Sequence, residues 1–393
     1  MLTTIKINDF AQVSTFSTPT GCEEFFMAVQ TGPGIAFAKA LAELAESYSL
    51  ALKRTGLSDD TTAFSRLFVS DIINQKQLLS LSPVFQRLTK GALSVIEQKP
   101  VNGGPLSLLS YHLRSRNNGF TRQRTNRSPD GWQNSLLLGG DSYSLLITSN
   151  FAVNSPFDAC VQTKNIFDSL ADVINQNGMQ LLNNTVRTWV FVRDVDNHYK
   201  GMVRARKDFF SAHGLTDKTR YLASTGIQGE GSLPEQLVTV DSLSVGGLQP
   251  GQIVRMEAPT HLSPTILYGV TFERGLRVRF GDRSHLYISG TASINNKGET
   301  LFIGDAEQQT RRTIENIRAL LAPHKANFDD MAYMIAYVRN FHDRELVGKV
   351  LDEEIGGKIP LIFAEAPVCR PAWLVELEGV AVISDKSEYQ PFM

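Results

Sequence analysis

Three times along this chain an apolar helix leads into a strand that ends in an aromatic residue, valine, any residue and then Asp or Asn. The three signatures are Phe68-Val69-Ser70-Asp71, Phe191-Val192-Arg193-Asp194 and Tyr337-Val338-Arg339-Asn340. Behind each come a second helix and two apolar runs separated by a break containing Gly or Pro, so one unit of roughly 120 residues is written three times. A chain of 393 residues accommodates three such units, each able to bury its own core.

The third copy states the pattern best. Leu286 to Thr291 reads as a strand, and Gln309 to Leu321 puts Ile314, Ile317, Leu320 and Leu321 on one helical face. The signature strand Met334 to Val338 follows, then a helix carrying Leu346, Val347, Val350 and Leu351 that stops near Gly356-Gly357. Strands at Pro360 to Ala364 and Leu374 to Val382 close the unit. In the second copy the same order falls on Ser144–Ser149, Thr163–Ile174, Arg187–Val192, Tyr199–Phe210, Tyr221–Ser224 and Leu237–Val245. In the first it falls on Glu24–Thr31, Ala36–Arg54, Ser65–Ser70, a single helix Gln77–Lys90, Ala92–Glu97 and Leu106–Leu113. The order β-β-α-β-α-β-β predicts an α+β unit, a mixed sheet with two helices on one face. Units are expected over residues 1–115, 130–247 and 265–393, with polar linkers at Arg114–Gln133 and Gly246–Leu262.

Composition narrows the chemistry. A net charge of −1 gives no global field for nucleic acid or anionic lipid. Nucleic acid is therefore not the expected partner, and an anionic ligand must be met by local cations. No stretch approaches the roughly 18 apolar residues of a membrane span, and the start shows no secretory pattern, so the cytoplasm is the expected address. Cys22, Cys160 and Cys369 lie far apart without Cys-x-x-Cys spacing, and the histidines have no ligand-set spacing, so neither a disulfide framework nor a metal site is expected. No glycine-rich phosphate loop or Gly-x-Ser-x-Gly is present, and the expected reaction is free of cofactors.

Val375-Glu376-Leu377-Glu378 sets two carboxylates on one face of the last strand. Two readings stay open: the solvent face of an amphipathic strand, or a pair whose mutual repulsion keeps one member protonated. Cys369 reads as a small buried apolar residue or a functional thiol, and Arg370 as a carboxylate ligand or a loop cap. Arg114, Arg116, Arg122, Arg124 and Arg127 surround Asn117-Asn118-Gly119-Phe120 in the first linker. Such a segment is a solvated linker, a cationic loop over an interfacial pocket or, least of all, a single-stranded RNA surface.

From Ile288-Ser289-Gly290-Thr291 through Thr313-Ile314-Glu315-Asn316-Ile317 to Val375–Val382, the third copy resembles the RidA/YjgF family, whose fold is chorismate-mutase-like and whose members form homotrimers with sites at subunit interfaces. The resemblance implies a trimer written as one polypeptide, an intrachain pseudo-trimer, alone or as a further homo-oligomer. Chorismatases are similar in this respect, and Cys369-Arg370-Pro371-Ala372-Trp373-Leu374-Val375-Glu376 resembles their terminal motif. That similarity implies Glu376 as proton donor and Cys369 as a tuning position, cysteine there going with hydroxybenzoate formation. It also implies a small anionic carboxylate as substrate, with Arg370, Glu378, Arg220 and Tyr221 near it. The deaminases of the RidA family carry an arginine after the proline of the penultimate strand. Pro360-Leu361 lacks one, whereas Lys218-Thr219-Arg220-Tyr221 offers Arg220 in the second copy, where Thr239 stands at the place of Glu376. If neighbouring units pack as subunits do, Arg220 and Glu376 meet at one interface. The expected function is release of pyruvate from chorismate or a related enolpyruvyl carboxylate. Imine or enamine deamination, or a binding scaffold without catalysis, are the alternatives.

Overall fold

The computed structural model describes residues 2–116, 119–128, 132–154, 156 and 158–393. In chain order the first unit comprises β1 (Leu2–Asn8), β2 (Ala11–Phe16), β3 (Glu23–Gln30), α1 (Phe37–Thr55), β4 (Thr62–Val69), α2 (Ile72–Leu81), α3 (Pro83–Leu88), β5 (Ala92–Glu97), β6 (Lys99–Pro100) and β7 (Leu106–Arg114). The second comprises β8 (Thr121–Arg127), β9 (Asn134–Gly139), β10 (Ser144–Ala152), α4 (Ala159–Gln176), α5 (Leu181–Asn184), β11 (Thr185–Val192), α6 (Val195–Ala212), β12 (Ala223–Gln228) and β13 (Val238–Gly246). The third comprises β14 (Ile253–Arg255), β15 (Gly275–Arg279), β16 (Arg283–Ala292), α7 (Ala306–Leu321), β17 (Met331–Val338), α8 (Arg344–Ile355), β18 (Leu361–Glu365) and β19 (Val375–Ser384).

The sheets run β1-β2-β3-β7-β4-β5, β12-β11-β13-β10-β9-β8 and β14-β15-β16-β19-β17-β18-β6. In each, the signature strand (β4, β11 or β17) pairs in parallel with the strand after its helix and antiparallel with the last strand. All eight residues of β4, of β11 and of β17 are buried. One face of these strands meets the unit's own helices and the other meets neighbouring units, which is why the signature reads as unbroken apolar sequence rather than as alternation. Each α+β unit thus keeps helices on one face of a mixed sheet and gives the other face to the assembly.

Local chemistry fixes the helices. Asp305 caps α7 by accepting from the Gln308 amide (3.0 Å), and Ile314, Ile317, Leu320 and Leu321 are buried along it. Gly356 ends α8 in the left-handed conformation (φ 70°), which costs glycine least. The single helix expected at Gln77–Lys90 is two, α2 and α3, because Pro83 cannot donate into a continuing helix and Ser82 caps a new start at the Phe85 amide (3.3 Å).

Both expected linkers contain strands. β8 lies inside Arg114–Gln133 and pairs with β9, and β14 lies inside Gly246–Leu262 and pairs with β15. Arginines suit β8 because an edge strand leaves half its side chains in reach of water. They are also tied down: Arg122 donates to the carbonyls of Thr62 and Lys90, Arg124 to that of Gly91, and Arg114 pairs with Glu23 (2.7 Å). Asn117, Asn118 and the side chain of Arg127 lie outside the described residues. Among the described residues no helix is long and apolar enough to cross a membrane.

Candidate active site between the second and third units

The pleat of β19 turns Glu376 and Glu378 to the same side, and both are buried, at 3% and 1% exposure, so they do not line a solvent face. Their partners differ completely. Glu378 Oε2 accepts from the Arg187 guanidinium and the Thr225 hydroxyl, and its Oε1 from Trp189 Nε1 (3.0 Å) and the Tyr337 hydroxyl (3.0 Å). Glu376 Oε1 is buried with no hydrogen-bond partner among the described residues. Burial first, and then the negative charge of Glu378, push the Glu376 carboxyl up to about 8, against the opposing pull of Arg187 and Arg274.

The Glu376 carboxyl occupies space left by Gly290 in β16. A Cβ on Gly290 would stand 2.4 Å from Glu376 Oε1, so only glycine permits this approach. The register of β16 against β19 breaks between Ile288 and Thr291, and this bulge sends the Gly290 amide to Thr225 Oγ1 (2.9 Å) across the interface.

A cavity of about 40 Å³ opens in front of Glu376, walled by Tyr199 and Arg206 of α6, by β12, and by the segment that carries Cys369, Arg370 and Trp373. Arg206 lies on the apolar stripe of α6 with Met202, Phe209 and Phe210, so the helix that buries those residues buries the guanidinium too. It donates weakly to Ser224 Oγ (3.4 Å), while Nε and Nη2 have no partner among the described residues. Burial lowers its pKa below the ordinary arginine value, as expected of a cation set in a dry pocket without a facing carboxylate. Phe272 and Arg274 wall this cavity and also a larger outer chamber of about 270 Å³, which contains Tyr221, Arg255 and Ser263. A narrow chamber holding the acid and a wider one thus share the walls formed by Phe272 and Arg274.

Cys369 lines the narrow chamber, where burial and then the neighbouring Glu376 push its thiol up to about 12. Arg370 also lines it, but Nη1 donates to the Gly298 carbonyl (3.1 Å) and the guanidinium stacks on Trp373 (4.7 Å), which is loop-capping geometry. Tyr221 reaches only the outer chamber. Arg220 is not among the residues lining the Glu376 cavity. Its guanidinium is turned onto the carbonyls of Leu182 in α5, Thr185 at the start of β11 and Tyr221 before β12. Glu378 likewise faces Arg187 rather than the cavity. Arg206 is the residue sequence reasoning missed, and a charged residue on the apolar stripe of α6 was the signal for it. None of Arg114, Arg116, Arg122 or Arg124 lines the cavity. Among the described residues no three His, Cys, Asp or Glu side chains converge as metal ligands.

The equivalent places at the other two interfaces lack the acid, although a cavity of about 50 Å³ lined by Trp132, Asn150, Gln236 and Thr239 remains beside Thr239. Pairing with the signature strands puts Ser107, Thr239 and Glu376 in one position, opposite Phe68, Phe191 and Tyr337. Between the first and second units Asn150 replaces Gly290, and its amide clips the free edge of β5, accepting from Val95 N and donating to Val95 O (2.8 Å each). Asn134 does the same at Leu93 (3.0 and 2.8 Å). Between the third and first units β6 pairs with Ala364 and Glu365, the same edge contact that Val368 makes with Ile227 and Glu230 with Glu97.

Residues 278–383 match the family described as Endoribonuclease L-PSP. A RutC family protein of Pyrococcus abyssi is 27% identical over 97 residues, 24% of this chain and 76% of that protein. A 3-hydroxybenzoate synthase of Streptomyces hygroscopicus is 26% identical over 218 residues, 50% of this chain and 63% of that protein, so the match spans less than two thirds of that relative. The crystal structure of a chorismatase superposes with a TM-score of 0.64 at 16% identity, covering 92% of this chain and 98% of that one. The third unit thus carries the Endoribonuclease L-PSP (RidA/YjgF) match, and the chain as a whole shares its fold with that chorismatase.

Proposed function

We propose that this protein releases pyruvate from a small enolpyruvyl carboxylic acid, chorismate or a close relative, with Glu376 as the acid. The observation that carries this reading is a buried carboxyl with a free oxygen and a raised pKa, in one cavity with the buried, carboxylate-free guanidinium of Arg206. A site with an uncompensated cation takes an anion, and an acid still protonated near neutral pH has a proton to give. The names of the two relatives, a 3-hydroxybenzoate synthase and a chorismatase, agree with that class of substrate.

In this scheme Arg206 holds a substrate carboxylate and Glu376 transfers its proton to the terminal CH2 carbon of the enol ether. The ether carbon becomes an oxocarbenium ion, with the Glu376 carboxylate as counter-charge. Water adds to that carbon as the Glu376 carboxylate takes its proton, and the hemiketal collapses as Glu376 protonates the departing ring oxygen and recovers a proton from the hemiketal hydroxyl, freeing pyruvate. Cys369, held as a neutral thiol, packs against the substrate rather than attacking it. Imine deamination is less well served, since the strand after Pro360 lacks an arginine.

The test is incubation with chorismate, following pyruvate and aromatic product by chromatography. Pyruvate from wild type, with a fall of about 10²- to 10⁴-fold in Glu376→Gln, is expected for loss of a general acid. Equal rates in the two proteins, or no pyruvate from either, would end the reading.

A further inference from the structure

Two buried carboxylates two residues apart on one strand cannot share the same fate, and the distribution of donors divides them. All four donors in reach, Arg187, Thr225, Trp189 and Tyr337, converge on Glu378, two to each oxygen, which fixes it as the anion. Three of the four come from the second unit or its sheet edge and one from β17, so the anion is held from both sides of the interface. We propose that Glu378 is a positioning residue that keeps Glu376 in its acid form, acting across one pleat of β19 without touching the ligand. The inference rests on Glu376 being the acid of the reaction proposed above.

The rest of the surroundings shows why such a residue is needed. Arg206 and Tyr199 face Glu376 from α6, Arg274 from the segment before β15, Arg187 from β11, Tyr337 from β17, and Cys369 and Arg370 from the loop before β19. The cations among these all favour a carboxylate, and the tyrosines and the thiol are neutral. Glu378 is the one anion in the set, and its charge opposes the pull of Arg274, which walls the cavity, and of its own partner Arg187. The arrangement separates two tasks: cations for the ligand, and one fixed anion behind the acid so that those cations do not strip its proton.

The test reads the proton directly. Infrared difference spectra of protein carrying ¹³C-labelled glutamate, with Glu376→Gln to assign the protonated carboxyl band, follow Glu376 from pH 5 to 10 without substrate. In Glu378→Gln the midpoint is expected to fall by about one pH unit or more, and pyruvate release above that midpoint to fall about tenfold for each unit lost. Because Glu378→Gln leaves Arg187 buried without its carboxylate, Arg187→Met/Glu378→Gln is measured alongside and is expected to show a smaller fall of the same sign. An unchanged midpoint in the folded variants overturns the inference and leaves burial as the sole cause. Absence of the protonated band in wild type at pH 7 overturns it as well. A wild-type protein that titrates as expected but releases no pyruvate defeats the proposed function alone.

Discussion

Replacing Arg206 with leucine removes a guanidinium that has no carboxylate partner among the described residues, so binding and stability are expected to move in opposite directions. KM for the enolpyruvyl acid should rise about 10- to 100-fold, the worth of a charged hydrogen bond, while the urea midpoint holds or rises. Glu376 carries a similar conflict. Its pKa is raised in the folded protein, so the folded state binds the extra proton between the ordinary value of 4.5 and about 8. The associated stability is complete below 4.5 and is lost as pH rises through 8, and Glu376→Gln should be more stable than wild type by about 1–3 kcal/mol at pH 9, with no difference at pH 4. Chemical denaturation at the two pH values checks this. Glu376 and Cys369 could be read from the terminal motif because strand alternation and a short spacing are local facts. Arg187 and Thr225 could not, since they belong to another unit and become partners of Glu378 only once the sheets face one another.

The α7, α8 and β17 assignments follow from periodicity and caps and agree with the structure to within a few residues. The misreadings lie where an element answers to a neighbour instead of to its own pattern. β8 is arginine-rich because its side chains reach back to carbonyls of the first unit, and a charge-based reading turns it into a linker. Asn150 in β10 also answers to the first unit, through Val95, and stands at φ 55°, a conformation that asparagine tolerates better than most residues. Asn150→Ala should cost about 1–3 kcal/mol, from two lost hydrogen bonds to Val95 plus the left-handed backbone. Asn150→Gly separates the two contributions by keeping the backbone free, and urea midpoints of both variants measure them.

A buried arginine–carboxylate pair spans each interface of the pseudo-trimer. Arg66 of the first unit meets Asp241 of the second (2.8 Å), Arg187 of the second meets Glu378 of the third, and Arg283 of the third meets Glu24 of the first (2.6 Å). The donors follow one another around the ring, so a unit placed out of order leaves buried charges unmatched, which favours a single arrangement. Asp241→Asn, remote from the Glu376 cavity, should lower stability by about 3–5 kcal/mol while leaving KM unchanged in the folded fraction, as denaturation and kinetics together would read. The threefold repeat could be read from sequence because it is written in local apolar pattern. The pairs could not, because each joins strands from different units.

Of the three equivalent positions only Glu376 carries a carboxyl, Ser107 and Thr239 standing at the other two. The stoichiometry follows: a titration with substrate or a non-hydrolysable carboxylate analogue should saturate at one equivalent per chain, not three. Its isotherm should be a simple hyperbola, because a lone acid-bearing site has no second occupancy with which to cooperate.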